Sequence, residues 1–493
     1  MLENFIKNRI INALPFSPND GQGELLHLLT QFILSKKEQK AFVLRGYAGT
    51  GKTSIMAAVV KALGELKQPV VLLAPTGRAA KVLARYANKP AYTIHKYIYR
   101  QDKLGTDSFS LSDNLHKHTL FIIDEASMIS GQQESPTFGT GILLKDLIKY
   151  VYAGEGCSML LLGDDAQLPP VGSELSPALD VNYLLGFGLD ITSYTLTQVA
   201  RQALDSGILS NATAIREKIE DIRNQAFEYQ YTPDVQAFEG GDFVELLEQS
   251  YREVGLEETI ILTRTNRRTL LYNQGIRARI LWKEDAISSG DRLMITKNNY
   301  FWTKDYEGIP FLANGDMMEI VRLRNQREMY GFQFVDASLR SLDYDWEIEV
   351  VLWLDTLTTD SPEANHLLHR QLFDRISEDY PELQHSRKKL VEKIYESPYY
   401  NALQIRFAYA VTCHKAQGGQ WKHVFIDPSN IPPEERDKNY YRWLYTAITR
   451  ATEQIYLLKY FFRINSTCKG TTFFAHTQIF INILINKCVR LRE

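Results

Sequence analysis

The hydrophobic positions of the first 200 residues alternate between short continuous runs and helically spaced ones. Four runs end in small or acidic residues and predict buried parallel strands, namely AFVLRG, PVVLLAP, TLFIID and SMLLLGD. Apolar residues at helical spacing lie between them in KTSIMAAVVKALGEL, GRAAKVLARYA and ILLKDLIKYVY. This alternation predicts a doubly wound α/β sheet, on which ligands bind at the carboxyl ends of the strands.

A second α/β set follows a charged helical stretch at residues 206–226. Its predicted strands are TIILTRT, DRLMIT, QIRFAYAVT, HVFIDPS and IYLLKYF. An insertion at about 317–399 divides this set. It begins after the hairpin signal Asn314-Gly315, continues with three predicted antiparallel strands and ends in a charged helical half. Residues 95–119 interrupt the first set without a clear period, as either a surface loop or a small subdomain would.

Composition narrows the class of protein. A chain of 493 residues with 44% hydrophobic and 23% charged residues predicts several globular domains. The net charge of −3 provides no global basic field, so a polyanionic partner would need a local groove. The four cysteines form no Cys-x-x-Cys pair, which favours a reducing compartment over a zinc or disulfide framework. With no signal peptide or membrane-spanning run predicted, we expect a cytoplasmic protein.

A glycine-rich stretch provides the strongest chemical signal. GYAGTGKT, residues 46–53, fits the pattern G-x-x-x-x-G-K-[ST] between a predicted strand and a predicted helix. Its backbone N–H groups would surround the phosphates of a nucleotide, Lys52 would reach the terminal phosphates, and the Thr53 hydroxyl would hold Mg²⁺. The predicted nucleotide-binding residues are Gly46, Gly49, Thr50, Gly51, Lys52, Thr53 and Ser54.

Two further strand ends carry acidic and amide groups. Asp124 and Glu125 follow an apolar run, where two carboxylates are costly to bury without a cation. We expect Asp124 to hold Mg²⁺ with Thr53, and Glu125 to deprotonate an attacking water, which favours hydrolysis over a nucleotide switch. Gln167, in LLLGDDAQLPPVG, is placed to sense the γ-phosphate. The chain has no Asn-Lys-x-Asp guanine box, which favours ATP over GTP.

One polar frame, Thr-x-His-Lys, occurs twice, as Thr93–Lys96 and as Thr412–Lys415. Each box offers a hydroxyl, an imidazole and an ammonium, which suit a phosphodiester backbone. Each is also compatible with a plain polar helix start. Both readings remain open from the residues alone.

In this order, the motifs resemble those of superfamily 1 helicases and, within them, the RecD-like and Dda-like helicases of the 1B branch. LTQVARQ, YAVTCHKAQG and LYTAITRA extend the resemblance over roughly residues 15–460. It implies two RecA-like domains, with a small hairpin insertion in the first and an SH3-like β plus helical insertion in the second. The implied division is 1–205 for the first domain with its insertion at about 96–118, 206–230 for a connector, 231–316 and 399–465 for the second domain, 317–398 for its insertion, and 466–493 for a tail.

The resemblance also implies roles for individual residues. Gln22 would contact adenine, while Arg201 and Arg450 would reach the γ-phosphate. Residues 95–115 would form a strand-splitting pin with its tip near Gly105 and Thr106. The implied strand-contacting residues are Pro75, Thr76, Thr93, His95, Lys96, Thr412, His414 and Lys415.

The resulting hypothesis is an ATP-dependent DNA helicase with Mg²⁺ as its metal, acting at the cleft between two domains. The resemblance implies 5′ to 3′ translocation on single-stranded DNA and duplex–single-strand junctions as substrates. We further expect a monomer with replication or repair proteins as partners and a role in DNA repair or recombination. Two alternatives remain open. One is an RNA-directed superfamily 1 enzyme, and the other is an ATP-gated clamp that binds single strands without unwinding.

Overall fold

The computed structural model describes residues 2–101, 109–133, 138–199, 206–222, 227–306, 309, 311–383 and 385–459. Packing divides the chain into two compact units. Unit 1 comprises Met1–Val235, Gln417–Gln420 and Arg436–Thr452, and unit 2 comprises Gln236–Ala416, Trp421–Glu435 and Glu453–Glu493. Two short segments from the second half of the chain therefore pack with the first half. Within the described ranges, no helix is long and apolar enough to cross a membrane.

Unit 1 is built on a six-stranded sheet with the order β3-β2-β6-β7-β1-β8, whose neighbouring strands pair in parallel. Strands β4 and β5 form a separate antiparallel pair. The strands are β1 (Lys40–Gly46), β2 (Val70–Ala74), β3 (Ala91–Thr93), β4 (Tyr99–Gln101), β5 (Phe109–Leu111), β6 (Leu120–Ile123), β7 (Ser158–Gly163) and β8 (Asp190–Leu196).

The first four helices of the chain pack apolar residues against this sheet. Leu25, Leu29, Val59 and Leu63 are buried beside the sheet residue Phe42 in one hydrophobic cluster, as the helical spacing predicts. The helices of the first half of the chain are α1 (Leu2–Ala13), α2 (Asp20–Leu34), α3 (Lys52–Glu65), α4 (Gly77–Ala87), α5 (Ile94–Ile98), α6 (Leu143–Ala153), α7 (Val181–Leu185) and α8 (Gly207–Glu220).

Unit 2 contains a five-stranded sheet and a closed barrel. The sheet order is β16-β10-β17-β18-β9, and the barrel contains β11 to β15. The strands are β9 (Val235–Phe238), β10 (Thr259–Thr263), β11 (Arg292–Ile295), β12 (Met317–Met329), β13 (Phe332–Ser341), β14 (Glu347–Trp353), β15 (Leu403–Phe407), β16 (Ala410–Thr412), β17 (Trp421–Ile426) and β18 (Ala451–Leu458). The helices of the second half are α9 (Phe243–Glu253), α10 (Asn266–Arg279), α11 (Pro362–Ser377), α12 (Arg387–Tyr395) and α13 (Lys438–Ile448), of which α13 packs with unit 1.

The predicted fold class is confirmed, since each half of the chain carries its own α/β sheet with parallel strands. The three antiparallel strands of the insertion are present as β12, β13 and β14. Two strand assignments were wrong. DRLMIT and the first part of QIRFAYAVT form β11 and β15, which pair antiparallel in the barrel and not in the second parallel sheet. A short apolar run fits a buried strand of either kind, so periodicity alone could not separate them.

The predicted pin region begins and ends in an antiparallel pair. Arg100 of β4 faces Ser110 of β5, and the Ser112 amide donates to the Ile98 carbonyl at 2.8 Å. The predicted tip residues Gly105 and Thr106 lie outside the described residues. The region therefore starts as a hairpin, and its role as a pin stays a prediction.

Candidate nucleotide site and strand-contacting motifs

The glycine-rich loop joins β1 to α3. Gly49 and Gly51 have φ of 73° and 87°, a left-handed backbone that glycine adopts without strain, and Gly51 precedes the first turn of α3. The Lys52 ammonium donates to the carbonyls of Gly46 and Tyr47, the latter at 2.9 Å. Thr53 follows in the first turn of α3, where the positive end of the helix dipole favours an anion. The loop has the backbone shape that phosphate binding requires.

Gln22 ties helix α2 to this loop. Its Nε2 donates to the Thr50 carbonyl at 3.0 Å, and its Oε1 accepts from the Asn19 amide at 3.0 Å in a capping box. The residue is only 1% exposed. Gln22 thus supports the backbone of the phosphate loop. Its predicted contact with adenine stays a prediction.

The two carboxylates lie where β6 ends. The Glu125 amide donates to Asp124 Oδ1 at 2.9 Å, and Glu125 has a φ of 50°. Burial raises the pKa of Asp124 to about 6, with Glu125 adding repulsion while Lys52 and Arg450 oppose it. Among the described residues, no three or more His, Cys, Asp or Glu form a metal cluster. The donor set nevertheless fits Mg²⁺, which binds through one or two protein oxygens and substrate phosphates, and Thr53 and Asp124 would supply those oxygens.

Arg450 lies beside this acid pair. Its Nη1 is 3.7 Å from Glu125 Oε1, and its Nε donates to the Thr446 carbonyl at 3.1 Å. The residue is 4% exposed. The expectation that Arg450 belongs to the second domain differs from the packing, which places Arg436–Thr452 in unit 1 because α13 packs against α8. A buried guanidinium next to a carboxylate and a phosphate loop is suited to stabilising charge on a transferring phosphoryl group.

The loop after β7 contains a second buried carboxylate and an amide. Burial raises the pKa of Asp164, which is 2% exposed and accepts from the Ala166 amide at 3.0 Å. Gln167 Oε1 is buried and makes no hydrogen bond to any described residue. Because an unsatisfied buried acceptor is costly, a water or a ligand donor at this atom would be favourable. The predicted role of Gln167 in sensing the γ-phosphate stays a prediction.

Helix α13 contributes groups that the sequence analysis missed. The Tyr445 hydroxyl accepts from the Ala48 amide at 2.8 Å and donates to Asp164 Oδ2 at 2.7 Å. Thr446 Oγ1 accepts from the Leu168 amide at 2.9 Å, and Gln417 Nε2 donates to the Leu168 carbonyl at 2.8 Å. The available signal was the polar residues of the YTAITRA motif, of which Tyr445 and Thr446 lie on α13, a helix whose side chains are mostly buried.

The predicted strand contacts of unit 1 lie at helix starts. Thr76 caps α4 by accepting from the Ala79 amide at 3.2 Å, and Thr93 caps α5 by accepting from the Lys96 amide at 3.3 Å. Pro75 precedes Thr76 between β2 and α4. The His95 ring packs edge-on against Phe138 with centroids 5.0 Å apart, and burial lowers its pKa to about 4. His95 is therefore a neutral ring in an aromatic cluster.

The predicted strand contacts of unit 2 follow strand β16. Thr412 ends the strand, and His414 and Lys415 lie on the exposed side of the turn Cys413–Ala416. Lys415 Nζ donates to Asn314 Oδ1 at 2.8 Å. Partial enclosure of the ammonium, together with Arg406, lowers the pKa of Lys415 to about 8. Lys415 and Arg406 form a local cationic group on a protein of net negative charge.

Most predicted site residues lie within described segments. The structure brings Lys52, Asp124, Glu125 and Arg450 into one electrostatic group in unit 1. It places Thr412, His414 and Lys415 in unit 2. Arg201 lies outside the described residues, so its predicted contact with the γ-phosphate stays a prediction.

Comparisons with known proteins agree with this geometry. Residues 19–232 match a family model described as an AAA domain, and residues 407–458 match one described as a UvrD-like helicase C-terminal domain. The ATP-dependent RecD2 DNA helicase of Deinococcus radiodurans is 32% identical over 176 residues, which are 34% of this chain and 21% of that protein. The ATP-dependent DNA helicase dda of Enterobacteria phage T4 is 25% identical over 323 residues, which are 61% of this chain and 67% of the phage protein.

A solved structure also covers most of the chain. The Pif1 helicase from Bacteroides in complex with ADP-AlF3 and ssDNA has 15% sequence identity and a TM-score of 0.44, over 88% of this chain and 91% of that one. A TM-score of 0.44 is too low to add detail to the fold.

The fold and the site define a P-loop ATPase with two α/β sheet domains. The two family models, in this order along the chain, and the RecD2 and Dda relatives identify it further. The chain is an ATP-hydrolysing helicase, and its sequence is similar to those of superfamily 1 helicases of the 1B branch.

Proposed function

We propose that this protein is an ATP-dependent DNA helicase that translocates on single-stranded DNA in the 5′ to 3′ direction. The observation that carries the proposal is the group formed by Lys52, Asp124, Glu125 and Arg450 around the phosphate loop. A nucleotide switch does not need a base and an arginine at this place, whereas hydrolysis does. The named relatives RecD2 and Dda are ATP-dependent DNA helicases, which supports DNA as the substrate.

The ATP cycle assigns a role to each residue of the group. Lys52 would leave the loop carbonyls of Gly46 and Tyr47 and bind the terminal phosphates. Glu125 would orient and deprotonate the attacking water, and Arg450 would move from Glu125 towards the developing negative charge. Mg²⁺, held by Thr53 and Asp124, would neutralise phosphate charge.

The strand would be held by the backbone-contacting groups of both units. Thr76 and Thr93 would offer hydroxyl groups at helix starts, and Lys415 an ammonium. Contacts of this type position a strand without reading its sequence. Translocation would follow if ATP binding and hydrolysis alternately tighten and loosen the two sets of contacts.

The test is strand separation with ATP on matched duplexes that carry either a 5′ or a 3′ single-stranded DNA tail. Wild-type protein is expected to open the 5′-tailed duplex, and Lys52→Ala, which removes the phosphate-binding ammonium, is the blank. Glu125→Gln is expected to bind ATP without hydrolysing it. Normal turnover by Lys52→Ala would refute the site assignment.

Other outcomes identify the alternatives. Opening of the 3′-tailed duplex alone would keep the motor and refute the proposed direction. Stronger stimulation of ATP hydrolysis by RNA than by DNA would favour an RNA-directed enzyme. Strand-stimulated hydrolysis with neither duplex opened would favour a single-strand clamp.

A further inference from the structure

Tyr445 places one buried hydroxyl between the phosphate loop and Asp164. Its oxygen is 2.8 Å from the Ala48 nitrogen and 2.7 Å from Asp164 Oδ2, and the residue is 1% exposed. A tyrosine hydroxyl has one proton, which here goes to the carboxylate, so its oxygen accepts from the Ala48 amide. Burial and the charge of Asp164 raise the pKa of Tyr445 well above its usual value, and the proton therefore stays on the hydroxyl at neutral pH.

The Ala48 amide belongs to the loop that binds phosphates. Backbone N–H groups of such loops are the donors that surround the phosphate oxygens. In this structure, the Ala48 donor is engaged by Tyr445, and the Lys52 ammonium is engaged by the loop's own carbonyls. A phosphate oxygen that takes the Ala48 donor must therefore displace the Tyr445 hydroxyl from it.

The same helix also supports the catalytic group. Thr446 fixes the Leu168 amide, and Arg450, just after α13, lies 3.7 Å from Glu125. The Tyr445 hydroxyl is thus one of several contacts that position α13 against the loops after β1 and β7. Among these contacts, that of the Tyr445 hydroxyl is the one that engages a backbone N–H donor of the phosphate loop.

We propose that Tyr445 is a positioning residue that couples the occupancy of the phosphate loop to the position of α13. Its hydroxyl links the Ala48 amide to Asp164. A phosphate oxygen that takes the Ala48 donor leaves the hydroxyl bonded only to Asp164, so that α13 and Arg450 are less tightly tied to the phosphate loop. This role rests on the proposed function, because its effect on turnover requires that the protein hydrolyses ATP.

Tyr445→Phe removes both hydrogen bonds and keeps the ring. In the variant, no hydroxyl competes for Ala48, so a fluorescent ADP analogue is expected to bind about fivefold more tightly than to wild type, the effect of one neutral hydrogen bond. The rate constant kcat for ATP hydrolysis is expected to fall about tenfold, because Asp164 and α13 lose their link, while KM for ATP stays equal or falls. A purely structural loss would raise KM.

Tyr441→Phe is the matched control, since it makes the same chemical change on the same helix at a buried residue that is 5% exposed. It should leave nucleotide affinity and kcat unchanged. Tyr445→Met, which also lacks the hydroxyl, should change nucleotide affinity in the same direction as Tyr445→Phe. Thermal unfolding of each variant checks that all of the compared proteins are folded.

The two proposals fail in different ways. Equal or weaker nucleotide binding by Tyr445→Phe relative to wild type would overturn the role of Tyr445, and so would kinetics identical to those of Tyr441→Phe. Absence of strand-stimulated hydrolysis in wild type would overturn the proposed function. The affinity comparison does not depend on hydrolysis and would still decide the role of Tyr445.

Discussion

The two Thr-x-His-Lys boxes share a sequence frame and differ in their surroundings. In the first, Thr93 caps a helix and His95 lies against the Phe138 ring with its pKa lowered to about 4. In the second, His414 and Lys415 lie on the exposed side of a turn, and partial burial of the imidazole, helped by the positive charges of Lys415 and Arg264, lowers the pKa of His414. The first box is a capped helix start with an aromatic His, and the second is a cluster of cations. Tertiary neighbours, more than the shared letters, determine the chemistry of such a short motif.

The largest expected effect comes from the charge of the second box. Lys415→Ala should weaken binding of a single-stranded DNA oligonucleotide by about 10- to 100-fold, the range of a charge-assisted hydrogen bond to a phosphate. The slope of log affinity against log salt concentration should become shallower by about one, which corresponds to the loss of one phosphate contact. Fluorescence anisotropy with labelled oligo-dT over a range of KCl concentrations measures both.

Lys422→Ala is the control for this change, because Lys422 is a half-exposed cation of unit 2 that pairs with Glu453 at 3.1 Å. It should leave the affinity and the salt dependence near their wild-type values. An equal loss in both variants would mean that general charge, and not the second box, binds the strand.

The second expected effect separates the two histidines. His95→Phe keeps the aromatic packing, so unfolding temperature and strand affinity should stay near wild type, whereas His95→Ala should lose about 1–2 kcal/mol of stability because its ring is packed. His414→Phe removes a polar group on the exposed side of the turn and should weaken strand binding by about 3- to 10-fold. Thermal melts and anisotropy on the same preparations measure these effects. If His95→Phe weakens binding as much as His414→Phe, the two boxes act alike.

The contrast between a local sequence pattern and its tertiary neighbours also explains which features the sequence could predict. Long apolar runs in β1, β2, β6 and β7 indicated buried parallel strands, and the phosphate-loop spacing located Lys52 and Thr53. Strand β8 was missed because an edge strand with polar residues has no continuous apolar run. Strands β11 and β15 were assigned to the wrong sheet because burial pattern does not encode pairing partners.

The site residues that were missed depend on contacts between distant parts of the chain. Ala48 and Tyr445 are 397 residues apart, and Leu168 and Gln417 are 249 apart. Spacing rules read local geometry, so they find Lys52 or Thr53 and give no indication that a helix near the end of the described chain packs against the loop. The aromatic surroundings of His95 arise in the same way, since Phe138 lies on a different segment.

The third expected effect concerns the helix start of the first box. Thr93→Ala removes the hydroxyl that accepts from the Lys96 amide, which should cost about 1 kcal/mol of stability, while Thr93→Ser keeps the cap and should restore it. Thr412 ends strand β16 and precedes the short turn Cys413–Ala416, where no α-helix begins, so Thr412→Ser and Thr412→Ala should differ little in stability. Chemical denaturation of the four variants provides the comparison. A loss of equal size at both positions would contradict the assignment of a cap to the first box alone.

The smallest expected effect is a pH dependence that only the second box should show. Lys415 would bind phosphate in its protonated form, and with a pKa of about 8 its charged fraction falls as pH rises through that value. Strand affinity should therefore decline about fourfold between about pH 7 and pH 8.5, as the charged fraction does.

The groups near Lys415 do not reproduce this decline. The pKa of His414 is lowered, so it is already neutral over this range, and although burial lowers the pKa of Arg406, a guanidinium remains charged. Lys415→Arg, which keeps the charge without titrating in this window, should give a flat profile, and a decline that survives in Lys415→Arg would assign the titration to another group.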